Sequence, residues 1–178
     1  MSVIIDGTNG ITTNSGTLIS TSTIGVGGTT PANTGAGISF PAAQSASSDA
    51  NTLDDYEEGT FTPSFSTGVT SPVYGEQTGS YTKIGRFVSF SIRLFLTSGT
   101  GSGAQVVVSG LPFTSSSATG VRGTATGAYL DASALVLAGD ISTATTTIGC
   151  YQYGGSNYIF AGSLASKYFY ICGSYYTA

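Results

Sequence analysis

Apolar and polar residues alternate strictly along 87–97, where Val88, Phe90, Ile92, Leu94 and Leu96 fall on one side and Phe87, Ser89, Ser91, Arg93 and Phe95 on the other. Successive side chains of a strand point to opposite faces, so this spacing predicts a strand with one face in a core. The stretch TSGTGSGA that follows predicts a loose turn, with 105–108 returning as the second arm of a hairpin. Further strands are expected at 60–65, 124–130, 135–137, 145–151, 157–161 and 167–175, short apolar runs broken by Gly and Ser. No segment combines helical periodicity with capping residues. The expected fold is all-β, its main domain an antiparallel β-sandwich or jelly-roll-like barrel.

Residues 1–48 read differently. Asp6 is their single charged residue, and isolated apolar points such as Ile4, Ile11, Leu18 and Ile24 are separated by Gly, Thr, Ser and Asn. Strands this short bury too little apolar area to offset backbone ordering, at about 1–2 kcal/mol per residue, unless other copies supply the missing faces. An extended arm that intertwines with neighbouring copies is expected, with Ile4, Ile11, Leu18 and Ile24 as its contacts. Residues 49–58 hold five of the nine acids and read as a solvated acidic linker, with the β-domain at 59–178.

Composition strengthens the case for assembly. Charged residues make up only 8% of the chain, so the surface is hydroxyl-rich and offers little repulsion between copies. The net charge of −4 and the dispersal of Lys83, Arg86, Arg93, Arg122 and Lys167 argue against a nucleic-acid partner. No apolar run approaches the roughly 18 residues that cross a bilayer, and MSVIIDG at the start has neither a basic region nor a long apolar stretch. The expectation is an unprocessed protein made in the cytoplasm, without membrane insertion. Cys150 and Cys172 are then expected to be reduced, buried thiols.

The inventory for catalysis is thin. Histidine is absent, which excludes Ser-His-Asp and Cys-His nucleophile systems. GVGG and GTGSG lack the Lys-Ser/Thr of a phosphate loop and read as turns. Asp54, Asp55, Glu57 and Glu58 could supply a glycosidase carboxylate pair, but a solvated linker offers nothing to raise one pKa, and no Trp is present to stack a sugar. The same acids lack the spacing of a calcium loop. The chain is expected to be neither an enzyme nor the holder of a cofactor or metal.

Tyrosine is the informative side chain, with eleven copies concentrated toward the end. Along 167–176, alternation puts Tyr168, Tyr170 and Cys172 on one face and Phe169 and Ile171 on the other, which reads as a strand buried on both sides, in part against another subunit. Tyr151, Tyr153 and Tyr158 flank a Gly154-Gly155-Ser156 turn and are the candidates for contact with a receptor, because a ring can stack on a sugar while its hydroxyl bonds the rim.

Three phrases stand out together: DDYEEGTFTP at 54–63, YTKIGRFV at 81–88 and SGLPF at 109–113. In order and spacing they resemble the C-terminal β-domain of tail-fibre and other virion appendage proteins of tailed bacteriophages. The resemblance covers about 49–115. It implies a homotrimeric, β-structured protein at the virion surface, its N-terminal arm bound to other virion proteins of tail or capsid. The β-domain would face outward, toward a host-surface glycan or protein. Only about fifty residues precede that domain, shorter than the usual fibre shaft, so the alternative implied is a capsid decoration protein, a cement knob or head fibre. Gly59 and Gly85 would suit turns, Pro63 a strand end, and Phe61 and Tyr81 apolar anchors.

Overall fold

A computed structural model describes residues 4–6, 10–12, 23–30, 35, 37–43, 49, 52–53, 55–130, 137–152, 157, 160 and 162–177. The chain divides into two compact units, Met1–Ser48 and Asp49–Ala178. Among the described residues all regular structure is β, and no helix is long and apolar enough to cross a membrane.

The first unit contains three-residue strands paired locally. β1 (Ile4–Asp6) runs antiparallel to β2 (Gly10–Thr12), with Ile5 opposite Ile11. β3 (Thr23–Gly25) runs parallel to β4 (Gly37–Ser39), with Ile24 opposite Ile38. Ile24 and Ile38 are 42% and 56% exposed, and among the described residues every member of the hydrophobic core belongs to the second unit. Of the expected arm contacts, Ile4 and Ile11 lie in β1 and β2, Ile24 lies in β3, and Leu18 falls outside the described residues.

The second unit is built from β5 (Tyr56–Phe61), β6 (Ser64–Thr67), β7 (Val69–Ile84), β8 (Phe87–Gly101), β9 (Val107–Ser109), β10 (Gly123–Leu130), β11 (Leu137–Ile141), β12 (Thr147–Gln152) and β13 (Lys167–Tyr176). They form one antiparallel sheet in the order β5-β7-β8-β13-β10-β11-β12-β9-β6. Its two end strands, β5 and β6, are consecutive in the chain, separated only by Thr62 and Pro63, so the sheet must roll back until its ends meet. Proline has no N–H to give a ladder, and the buried Pro63 marks the break between the two strands. The roll is visible in the packing: the Phe65 ring on β6 lies 5.2 Å from Phe169 on β13, five places away in the strand order.

Inside the roll sit Val88, Phe90, Ile92, Leu94 and Leu96, each at most 4% exposed, as their alternation predicts. Phe169, Ile171 and Tyr175 from β13 face them. Burying a tyrosine requires a partner for its hydroxyl. Tyr175 donates to the Phe113 carbonyl at 3.0 Å and accepts from the Phe113 N–H at 3.2 Å.

Several expectations are corrected. The hairpin partner of β8 is β7, joined through Gly85 and Arg86 with Gly85 at φ 55°, whereas β9 pairs with β12 and β6. The strand β8 itself runs through the predicted turn to Gly101. The run expected at 60–65 is two strands meeting at Pro63; of the run expected at 135–137 only Leu137, which opens β11, lies within the described residues, and of that at 157–161 only Asn157, which bridges to Tyr151, and Phe160. The expected acidic linker is strand from Tyr56 onward, and Gly59 lies within it rather than in a turn.

Gly59 and Gly79 explain how the polar β7 lies flat beside β5. Tyr81 stands opposite Gly59 and Phe61 opposite Gly79, and each ring lies over the glycine facing it. A Cβ on Gly79 would meet the Phe61 ring at 2.5 Å. Gly79→Ala should therefore displace Phe61 and destabilise the fold by about 1–3 kcal/mol, the usual cost of overpacking, seen as a lower urea midpoint with unchanged β-sheet circular dichroism.

Candidate functional site

Local sequence brings two distinct arrangements to the β5-β7-β8-β13 half of the sheet, one on its inner face and one on its outer face. On the inner face the three phrases at 54–63, 81–88 and 109–113 converge. Lys83 is ion-paired with Asp55, and both are 4% exposed. The Lys83 ammonium lies 5.6 Å from the centre of the Phe113 ring, and Phe113 packs edge-on against Tyr81 at 5.2 Å. The Tyr81 hydroxyl donates to Glu57, and the Asp55 carbonyl accepts the Gly85 N–H at 2.9 Å. Burial, reinforced by the Glu57 carboxylate, pushes the Tyr81 phenol up to about 12.

This arrangement overturns the reading of the acids as a solvated cluster. Asp55 is buried, Glu57 is half-buried under Tyr81, and Glu58 is exposed with the Tyr56 hydroxyl donating to it. Glu57 and Glu58 are adjacent in a strand and so point to opposite faces, which prevents them from flanking one glycosidic bond. Asp54 falls outside the described residues. Among the described residues no group of three or more potential ligands could hold a metal ion.

The outer face is banded, because residues in register across neighbouring strands share chemistry. The band nearest the Gly85 turn is apolar: Tyr56, Ile84, Phe87 and Tyr176, one from each of β5, β7, β8 and β13, exposed by 41%, 48%, 39% and 46%. Next come two hydroxyl-rich bands, one with Thr82, Ser89 and Ser174 and one with Ser80, Ser91 and Cys172. They floor an open groove of about 550 Å³, with Glu58 at its side. Beyond it lies a band of rings and charge. Tyr168 stacks on Phe95 at 4.4 Å, with Tyr170 nearly parallel to it at 6.3 Å. The Arg93 guanidinium lies over both tyrosines at 5.4 and 5.6 Å. It donates to the Tyr170 hydroxyl at 3.0 Å and to Glu76 at 2.7 Å.

Of the predicted receptor contacts, Tyr153 and Tyr158 lie outside the described residues. Tyr151 is half-buried in β12, opposite Ala138 and near the ion pair of Arg122 with Asp140. Tyr168 and Tyr170 stand half-exposed on the outer face of the chain, the strand having been expected to bury in part against another subunit. The cysteines also divide: both are free, with Cys150 buried and Cys172 exposed on the groove floor. Alternation had placed Cys172 beside Tyr168 and Tyr170, and it lies with them on the outer face.

No protein-family model, curated protein or solved structure matches the chain.

Two predictions follow from these environments. Asp55→Ala would leave the Lys83 ammonium buried without its counter-charge, and a destabilisation of about 3–5 kcal/mol is expected from denaturant titration. The second concerns alkaline pH. Burial raises Cys150 from 9.0 to about 12 and Tyr175 from 10.0 to about 12. Both groups hold their protons in the folded state after the unfolded chain has released them, so their contribution is intact below pH 9 and is lost as pH rises toward 12. The urea midpoint should fall across that window, and Cys150→Ala should flatten the start of the fall. In a Cys172→Ser protein, thiol titration should find no reactive group when native and one when denatured.

Proposed function

We propose that this chain is a structural protein of a bacteriophage particle, a short homotrimeric fibre. Its first unit binds tail or capsid proteins, and its second displays a rolled, sandwich-like β-domain for attachment to the host surface. The observation that carries this reading is the first unit's exposed Ile24–Ile38 pair, carried on three-residue strands, while the core residues among those described all lie in the second unit. Such a segment gains its missing burial from other chains, which is the behaviour of a trimerising anchor. The three phrases that resemble phage appendage domains support the reading further, because they form one packed cluster around Lys83 instead of lying scattered.

Attachment chemistry belongs to the exposed rings. Tyr151 remains a candidate, and Tyr168 and Tyr170 join it, since rings with polar tips beside Arg93 and Glu76 suit the faces and hydroxyls of a glycan. Three copies on one fibre would multiply weak single contacts through effective concentration.

Antibody labelling of purified particles tests the proposal. Label at the tail, with purified protein competing for adsorption to host cells, is the expected result. Label spread over the head with no competition would transfer the reading to capsid decoration, and absence of the protein from particles would overturn both.

A further inference from the structure

We infer that the apolar band Tyr56–Ile84–Phe87–Tyr176 is the contact between copies of the second unit, three bands packing around a common axis. This deepens the assembly part of the reading above and rests on it. The four side chains come from four adjacent strands in direct register, Tyr56 opposite Ile84, Ile84 opposite Phe87 and Phe87 opposite Tyr176. Their rings and branches form a continuous line, with Phe87 and Tyr176 already in contact at 5.5 Å. At about 40–50% exposure each, the line leaves roughly 300 Å² of apolar surface in water, comparable with the largest patch of a typical monomer, which is often a functional one. It supplies the apolar centre of a contact whose usual area is about 800 Å² per partner, with the hydroxyl band of Thr82, Ser89 and Ser174 available as its rim.

A second copy is the occupant the surroundings favour. Among the described residues, Glu58, which the Tyr56 hydroxyl engages, and Arg86 of the adjoining turn flank the line, so identical copies meet with opposite charges at the margin. Copies gathered by their first units would hold these lines at high effective concentration, so a modest apolar contact suffices to complete the trimer.

Two measurements decide it. Phe87→Ser with Tyr176→Ser removes exposed side chains, so the fold should survive. Light scattering on a dilution series should show the trimer coming apart at a protein concentration about tenfold higher than for the parent, because only the first units still hold the copies, with the β-sheet circular dichroism unchanged. Separately, Phe87→Cys in a Cys172→Ser background should give disulfide-linked dimers on mild oxidation, because Cys150 is buried, while Thr114→Cys in the same background should not. A trimer that the double substitution leaves equally resistant to dilution and that fails to cross-link above the Thr114→Cys control overturns the interface and leaves the fibre reading standing. A parent protein that is monomeric at micromolar concentration overturns the inference, pointing to a different virion protein as the band's partner. Absence from the particle, by contrast, bears only on the proposed function.

Discussion

The ammonium of Lys83 is buried, and that one charge organises the surrounding structure. A lysine removed from water needs a carboxylate within contact and polarizable neighbours around it. Asp55 provides the first, and the ring of Phe113 the second. Because Asp55 precedes β5, Lys83 lies near the end of β7 and Phe113 follows β9, the charge ties together three parts of the chain that are far apart in sequence. The Asp55 carbonyl also holds the Gly85 turn, and Phe113 in turn satisfies the buried hydroxyl of Tyr175. The position of the β7–β8 hairpin, the start of β5 and the inward aim of β13 all follow from satisfying these polar groups together.

With the inner face committed in this way, any interaction with other molecules falls to the outer face. Its bands result from register: a strand contributes one outward residue in two, and pairing aligns those residues across neighbours. Chemistry is thus sorted by height along the sheet rather than by strand. Apolar side chains collect at the turn end, hydroxyls in the middle, and rings with Arg93 and Glu76 farther along. Assembly at one level and ligand contact at another are compatible on a single face for this reason.

Much of the architecture was legible in the sequence. The alternation in 87–97 identified the innermost strand and its buried residues, and 124–130 and 167–175 were placed within a residue or so of β10 and β13. The longest strand was missed because β7 carries Pro72, Gly75, Gly79, Glu76 and Gln77, residues of low strand propensity. Its conformation is imposed by pairing, and its glycines are present because the rings of Phe95 and Phe61 lie over Gly75 and Gly79. The acidic segment misled for a related reason: charge density alone suggested solvation, whereas the partner of Asp55 stands twenty-eight residues away at Lys83. The outer aromatic cluster was obscured because alternation tells which residues share a face but not whether another element covers it.

One feature of the strand order bears on how the protein is made. β13 is the last strand in chain order, yet it lies between β8 and β10 in the interior of the sheet. A growing chain on the ribosome can form the β7–β8 hairpin and the β10–β11–β12 meander, but these are separate pieces until residues 167–176 emerge to join them. Until then Ile92 and Leu94 lack Phe169 and Ile171, and the incomplete product exposes the very surface that drives closure. Closure of the sheet is therefore held back until residues 167–176 are available, and chains cut short before them lack the strand that joins β8 to β10.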